Sequence, residues 1–458
     1  MKATPLSLIG FTIDGLFGAL SHDVELRGNA TLIFGANGSG KTTTLLVVER
    51  VLRHEFSGLY GLPFSQITLR FSDQTSVVVR KVERRRTKKD PSLFELESDV
   101  KPHIYTDFHI SLRGTGEKNL DKKAVVDIEK YEFIKNRLIR TTTAVAKYFP
   151  GYYRVGQRTW RDPSTGKDFE HEELAVIAAE KEAIELPKWF IEKTTQIKIG
   201  SIRAQRLFAF ERQMVRGEET GEIREIVSMI SDDMKKRVNA KLSESALNFQ
   251  GKEKTFPHRI LAASGTAENE ADLRKKYIEL QERLKDLQEV GLQESGESLV
   301  LPEVKLNPTH RRVLSLYLND LNEKLDVFNS LSAQIRLLCG LIEKKFKRKN
   351  FSIDKSGFKI RSTDSNQTKL KPNELSSGEQ HQLVMLYELI FSEEEGQLYL
   401  IDEPEISLHV EWQRQFLSDM ERIAEVRGHK FIIATHSPQV INGNMALTVG
   451  LDDSQADA

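Results

Sequence analysis

Residues 31–46, which read TLIFGANGSGKTTTLL, constrain the possible folds more than any other stretch of this chain. The apolar run Thr31–Phe34 predicts a buried strand, and Thr43–Arg50 continues as a predicted helix. Between them, Gly35–Thr42 matches the phosphate-binding loop, whose glycines let backbone N–H groups face anionic oxygens at a helix N-terminus. The pattern predicts an ATP site formed by Gly35, Asn37, Gly38, Ser39, Gly40, Lys41, Thr42 and Thr43.

Within this loop, two side chains carry specific chemistry. Lys41 reaches the β- and γ-phosphates of the nucleotide and is therefore a candidate catalytic residue. The hydroxyl of Thr42 ligates Mg²⁺. We therefore expect ATP and Mg²⁺ as the ligands of this chain.

Later segments supply candidates for the rest of the site. The buried strand predicted at Gln397–Ile401 ends at Asp402, which can hold Mg²⁺, and the adjacent Glu403 is placed to accept a proton from attacking water. A third apolar run ends at His436, whose imidazole can hydrogen-bond the γ-phosphate or the water. Gln157 is a further candidate, for the residue that couples metal and γ-phosphate to conformational change.

Composition and charge exclude several classes of protein. The 458 residues carry no formal net charge, so any surface for nucleic acid or membrane has to be local. Cys339 is the single cysteine, which excludes an internal disulfide and a cysteine zinc cluster. The N-terminal sequence lacks the pattern of a signal peptide, and no apolar run is long enough to span a membrane. We therefore expect a cytoplasmic protein with no membrane partner.

The remaining segments predict a nucleotide-binding head that is interrupted by helices. Alternating strands are predicted at 67–71, 76–80 and 109–113, with helices at 126–148 and 170–185. From about Glu218 to Lys345 the pattern is mostly helical and has two leucine stripes, a short one over residues 280–287 and a longer one over residues 314–342. We expect three parts: residues 1–206 as the first half of the head, 207–349 as an inserted helical arm, and 350–458 as the second half of the head.

The phosphate loop, LSSGEQ (375–380), LYLIDE (398–403), SLH (407–409) and ATHS (434–437), in this order, resemble the ATP-binding-cassette fold. Their wording is similar to its soluble branch, which includes double-strand-break-repair, structural-maintenance-of-chromosomes and overcoming-lysogenization-defect ATPases. The resemblance covers residues 1–206 and 350–451. It implies an α/β head with a mixed sheet and an antiparallel β layer, carrying an inserted helical or short coiled-coil arm.

The same resemblance assigns roles to the segment around Ser377. It implies that Ser377 and Gly378 contact the γ-phosphate held by the loop of another copy, and we expect Ser376 and Glu379 to belong to the same ATP-binding segment. Two copies would then pack head to tail around two ATP molecules. Two features argue against a transport ATPase. Glu379 stands where the transporter branch more often has glutamine, and the helical insertion is larger than a compact transport ATPase needs.

A narrower resemblance concerns YFPGYYRVGQR (148–158) and IGSIRAQRL (199–207). These segments are similar to the AriA ATPase family of PARIS anti-phage systems. That likeness implies a homo-oligomeric scaffold, such as a trimer of dimers, that holds a separate Toprim-type nuclease effector and releases it on sensing a phage-encoded DNA mimic. Septu and retron ATPases remain alternatives, as does a DNA-repair or chromosome-maintenance ATPase that binds DNA.

A DNA mimic is acidic, so its sensor should present a basic surface. The candidates for this trigger surface are Lys81, Arg84, Arg85, Arg86, Lys88 and Lys89, and the alternative interpretation of this run is a solvated loop. The second choice for the trigger surface is the basic run at residues 344–349, which contains Lys344, Lys345, Lys347, Arg348 and Lys349.

Overall fold

The computed structural model describes residues 6–85, 104–114, 121–141, 146–156, 158–163, 168–203, 208–215, 218–262, 268–293 and 301–451. The strands are β1 (Leu8–Leu16), β2 (Leu20–Glu25), β3 (Ala30–Phe34), β4 (Gln66–Phe71), β5 (Thr75–Arg85), β6 (Ile104–Gly114), β7 (Lys122–Asp127), β8 (Tyr153–Arg154), β9 (Thr159–Arg161), β10 (Asp168–Glu170), β11 (Ile199–Ile202), β12 (Phe208–Val215), β13 (Glu218–Glu225), β14 (Lys349–Asp354), β15 (Gly357–Ser362), β16 (Lys369–Leu370), β17 (Leu398–Asp402), β18 (Lys430–Thr435) and β19 (Thr448–Gly450).

The helices are α1 (Lys41–Leu52), α2 (Phe56–Tyr60), α3 (Ile128–Arg140), α4 (His171–Ala183), α5 (Lys188–Thr194), α6 (Ile226–Ala262), α7 (Glu270–Glu289), α8 (Pro308–Asp326), α9 (Asn329–Glu343), α10 (Ser377–Ile390), α11 (Val410–Arg427) and α12 (Pro438–Ile441). Single 3₁₀ turns lie at Pro372–Glu374, Pro404–Ser407 and Met445–Leu447.

A five-stranded parallel sheet, in the order β11-β17-β18-β3-β19, forms the centre of the molecule. Alternate residues of its strands enter two different apolar clusters. Leu32 and Ile433 pack with α10, α11 and the helical arm, whereas Ile33 and Ile432 pack with α1 and the antiparallel layer. Because both faces are covered, the strands are apolar throughout, which is why they can be predicted from short hydrophobic runs.

The antiparallel layer is a six-stranded sheet in the order β2-β1-β4-β5-β6-β7. The strands predicted at 67–71 and 76–80 are both present and pair with each other, with Ile67 opposite Val79 and Leu69 opposite Val77. Strand β7 extends to Asp127, whose side chain then accepts from the backbone N–H groups of Glu129 and Lys130 and caps α3. The helix predicted from residue 126 therefore begins two residues later. The described parts form a mixed α/β head with an antiparallel β layer.

Helices α6, α7, α8 and α9 form the arm. Asparagine side chains cap two of them: Asn269 accepts from Ala271 N–H, and Asn307 accepts from His310 N–H at 2.7 Å. The prediction of helix from residue 218 is wrong for its first turns, because 218–225 form strand β13, paired with β12. The second leucine stripe is also interrupted, since α8 and α9 are bent by 53° relative to each other.

The leucine stripes of the arm face inward. Leu318, Leu325, Leu331 and Ile335 are buried in the same cluster as residues of α10 and α11. In the described part of the chain, no individual helix has the length and apolar character needed to cross a membrane, and the bent pair α8–α9 passes that test only when its two helices are combined.

The arm rejoins the head through a buried ion pair. Lys345 Nζ lies 2.6 Å from a carboxylate oxygen of Asp419 in α11, and the two side chains are only 1% and 5% exposed. A charged pair is stable at such a site only while both partners are present, because either charge alone would be buried without compensation.

We predict that Lys345→Met destabilises the fold by about 3–5 kcal/mol, since it leaves the Asp419 carboxylate buried without its cation. The measurement is the urea midpoint of unfolding, followed by tryptophan fluorescence. Lys347→Met is the matched control, because Lys347 pairs with Glu411 of the same helix in solvent. Equal midpoints for the two variants would contradict the prediction.

Candidate nucleotide site

The phosphate loop begins where β3 ends and runs into the N-terminus of α1. Gly38 and Gly40 have φ values of +86° and +85°, a conformation that favours glycine. At Gly40 a Cβ would also lie 2.5 Å from Leu16 Cδ2, so β1 closes one side of the loop. Ser39 Oγ is buried and has no hydrogen-bond partner among the described residues, which leaves it available to a phosphate oxygen.

Lys41 is the first residue of α1, and its side chain is buried. Its Nζ donates to the carbonyl oxygens of Gly35 and Ala36, at 2.8 and 2.9 Å. The ammonium group is thus held inside the loop that the glycines form. This is the location that a cation needs in order to contact phosphate oxygens bound by the loop.

The phosphate loop meets the end of β17 through a hydrogen bond. Thr42 Oγ1 donates to Asp402 Oδ1 at 3.1 Å, across 360 positions of sequence. Burial raises the pKa of Asp402, while the bond from Thr42 acts in the opposite direction. A hydroxyl and a carboxylate at this separation form the oxygen donor set that Mg²⁺ prefers, with bound phosphate supplying further ligands.

No group of three or more His, Cys, Asp or Glu side chains in the described ranges could hold a metal ion by protein ligands alone. Mg²⁺ in nucleotide sites usually uses one or two protein oxygens, phosphate oxygens and water. The residues present therefore fit a magnesium ion that arrives with its nucleotide.

Strand register brings the other predicted residues to the same edge of the sheet. Asp402 is level with Ala434, and Thr435 is level with Phe34, so β3, β17 and β18 end side by side. Glu403 has φ +45°, an uncommon conformation for a residue other than glycine, and its N–H donates to Ala434 O at 2.9 Å. His436 Nδ1 lies 3.7 Å from Glu403 Oε1.

Glu405 is a site residue that the sequence interpretation missed. Its buried Oε1 accepts from Thr435 Oγ1 and His436 N–H, both at 2.7 Å, and from Ser437 N–H at 3.2 Å. The same oxygen lies 3.1 Å from His436 Nδ1. A carboxylate at this position favours the tautomer with hydrogen on Nδ1, which leaves Nε2 as an acceptor. The sequence does contain one signal for Glu405, which is the third acidic residue in the four positions 402–405 at the end of a buried strand.

The segment around Ser377 begins helix α10 with a capping box. Ser376 Oγ accepts from Glu379 N–H at 3.4 Å, and Glu379 Oε2 accepts from Ser376 N–H at 2.8 Å. Ser376, Ser377, Gly378 and Glu379 all line an open groove of about 620 Å³ with Ile406, Leu408 and His409. Among the described residues, those that line this groove do not include the phosphate loop.

An exposed aromatic ring also borders the phosphate loop. Phe17, in the turn between β1 and β2, is 54% exposed and has φ +51°. Its ring edge would lie 3.3 Å from a Cβ at Gly40. An aromatic face in that position can stack on a nucleobase.

The sequence matches the AAA ATPase domain family over residues 17–441. The chain belongs to this family. This match spans both halves of the nucleotide site and the arm between them. No curated protein matches the sequence.

Solved structures similar to this ATPase domain include the Smc head domain with an extended coiled coil bound to the C-terminal domain of ScpA, derived from Pyrococcus furiosus. The sequence identity is 13% and the TM-score is 0.33, and the match covers 97% of this chain and 93% of that chain. The SMC head domain from Thermotoga maritima has 11% identity and a TM-score of 0.32, with coverage of 97% and 94%.

Several predicted residues of this ATPase domain lie outside the described residues: Gln157, Arg86, Lys88 and Lys89, together with the side chain of Arg85. Arg84 is described; its exposed side chain pairs with Asp107. In the second basic run, Lys345, Lys347 and Lys349 are all in ion pairs, with Asp419, Glu411 and Glu379.

We predict that Glu405→Ala lowers kcat for ATP hydrolysis at least about tenfold, because the backbone N–H and Nδ1 of His436 would lose the carboxylate that holds this histidine beside Glu403. The affinity for ATP should change much less, since Glu405 does not contact the phosphate loop. Steady-state kinetics and nucleotide titration measure the two quantities. Glu421→Ala, at an exposed position of α11, is the control. A parallel loss of ATP affinity would contradict the prediction.

Proposed function

We propose that this ATPase binds MgATP at the phosphate loop of one copy and completes the site with residues 376–379 of a second copy. The proposal rests on one observation. A single chain brings Thr42, Asp402, Glu403 and His436 together at one edge of the sheet. Ser377 of the same chain lines a groove whose described lining residues do not include the phosphate loop. Two copies arranged head to tail would unite the halves.

The proposed roles follow from the geometry of each residue. The backbone of residues 35–43, with Ser39 and Lys41, would bind the phosphates, and Thr42 and Asp402 would hold Mg²⁺. When bound there, Mg²⁺ would supply neutralisation of the phosphate charge and help to orient the γ-phosphate. Glu403 would accept a proton from water, and His436, placed by Glu405, would accept a hydrogen bond at Nε2.

The second copy would supply the helix N-terminus of α10. Backbone N–H groups at Ser377 and Gly378, together with the helix dipole, favour an anionic γ-phosphate. Two exposed apolar side chains at the rim of the groove favour a protein as its occupant. Ile406 is 61% exposed and Val410 is 52% exposed. A second copy would cover both apolar side chains.

We predict that Glu403→Gln retains ATP and accumulates as a dimer or higher oligomer, because hydrolysis no longer releases the paired state. Lys41→Ala should lose nucleotide binding, since the loop then lacks its cation. Light scattering with saturating ATP measures the mass, and nucleotide titration measures binding. A Glu403→Gln protein that binds ATP and stays monomeric would reject the paired site.

For the biological setting, we propose an anti-phage defence ATPase of the PARIS type, as the resemblance of residues 148–158 and 199–207 suggests. The ATP-bound homo-oligomer, such as a trimer of dimers, would hold a separate Toprim-type nuclease effector and respond to a phage-encoded DNA mimic. We further propose that the chain divides into the first half of the head at residues 1–206, the inserted helical arm at 207–349 and the second half of the head at 350–458. A chromosome-maintenance or repair ATPase that binds DNA is the alternative.

We predict that charge reversal at Arg84, Arg85 and Arg86 abolishes the response to the acidic trigger and spares ATP hydrolysis, because Arg84 pairs with Asp107 of the antiparallel layer rather than with a residue of the nucleotide site. The assay compares growth of cells that carry the system with and without trigger expression. An intact response in the triple variant would place the trigger surface elsewhere. Co-purification of duplex DNA without an effector would favour the alternative.

A further inference from the structure

The chain that leaves the arm forms polar links with the elements proposed to meet a second copy. After α9, three alternate lysines pair with three carboxylates: Lys345 with Asp419, Lys347 with Glu411, and Lys349 with Glu379. The first two carboxylates belong to α11 and the third to the first turn of α10. The end of the arm is therefore tied to both helices that border the groove.

The link through Lys349 reaches the segment around Ser377 directly. Lys349 Nζ donates to both carboxylate oxygens of Glu379, at 2.6 and 2.8 Å. Burial raises the pKa of Glu379, but the bonds from Lys349 and Ser376 outweigh it and hold this pKa below its usual value. Glu379 is thus a carboxylate, and its Oε2 accepts from Ser376 N–H and Ser376 Oγ. Lys349 therefore orients the capping box that begins α10.

A second link joins α10 to the other end of the arm. Tyr387 Oη donates to Asp233 Oδ2 at 2.6 Å, and Asp233 belongs to the first turns of α6. Arg237 Nε donates to the same carboxylate oxygen at 2.7 Å. Burial, reinforced by Asp233, raises the pKa of Tyr387, so its hydroxyl keeps the proton that it donates.

These two links grip α10 at separate points. Glu379 and Tyr387 are eight residues apart, which corresponds to about 12 Å along a helix. Tyr387 is held by the segment that enters the arm, and Glu379 is held by the segment that leaves it. The arm therefore contacts α10 at two fixed points, one of them in its first turn.

We propose that Lys349 and Asp233 are positioning residues through which the helical arm sets the orientation of residues 376–379. This inference rests on the proposed function, in which those residues complete the ATP site of a second copy. The arm would then control pairing and hydrolysis while leaving ATP binding to the phosphate loop of its own chain unchanged. A partner that bends or holds the arm would act on the ATPase by this route.

The test uses the full chain and separates ATP binding from pairing. In the Glu403→Gln background, Lys349→Met and Tyr387→Phe should each weaken ATP-dependent pairing about tenfold, because each removes a hydrogen bond that involves a carboxylate. ATP affinity, measured by titration of dilute protein, should stay within about twofold of the parent. Lys349→Arg retains the donors and should restore pairing. Sedimentation velocity across a concentration series measures pairing.

Lys359→Met is the matched control, because Lys359 pairs with Asp354 inside the β14–β15 hairpin. It removes a lysine ion pair from the same small sheet without altering α10, and it should pair like the parent. In the otherwise wild-type chain, kcat should fall in Lys349→Met and persist in Lys359→Met.

Three outcomes would overturn the coupling. The first is parent-like pairing by Lys349→Met and Tyr387→Phe, and the second is an equal loss of ATP affinity and pairing. The third is an equal effect of the Lys359→Met control. Failure of Glu403→Gln itself to pair with ATP would instead reject the proposed function, and the coupling with it. Because Tyr387→Phe deletes one oxygen atom, it keeps the test valid even if Lys349→Met fails to fold.

Discussion

The site depends on a parallel sheet that is buried on both faces. Its strands have to alternate their side chains between two apolar clusters, so their charged side chains are confined to the strand ends. The register of β3, β17 and β18 places those ends level with one another. Gly35, Asp402 and His436 come from distant parts of the chain and meet because each is at or just after the last residue of its strand. This edge is where ligands bind in open α/β sheets.

Buried polar groups organise the rest of the head around that edge. Glu405 satisfies three donors of the turn after β18 and so holds His436 beside Glu403. Lys345 and Asp419 form a similar closed pair at the root of the arm. In each case a charged side chain that could not be buried alone fixes the relative placement of two elements. The proposed chemistry and the proposed control by the arm both use such fixed points.

Many features could be predicted from local sequence because their causes are local. The glycines of the phosphate loop, the hydrophobic runs of β17 and β18 and the capping box of Ser376 and Glu379 each follow from backbone conformation or burial within a few residues. The secondary-structure prediction is wrong where the helical and strand periodicities compete in the same residues. The sequence predicts helix at strand β13 because its polar residues carry no period-2 signal strong enough to distinguish it.

The fate of the basic residues needed the tertiary structure. In sequence, residues 344–349 are the second candidate for a basic trigger surface, yet Lys345 is buried and Lys349 holds the first turn of α10, because their partners lie 74 and 30 positions away. Glu405 was missed for the same reason, since its donors follow a different strand.

Local sequence is enough to establish that this chain contains a phosphate loop, a second strand ending in two acidic residues and a helical insertion, because each feature depends on neighbouring residues. The folded chain was needed to see which carboxylate meets which cation, and to see that residues 376–379 line a groove whose described lining does not include the phosphate loop. Those outcomes depend on how the strands align and how the arm packs, and contacts between residues so far apart leave no local pattern.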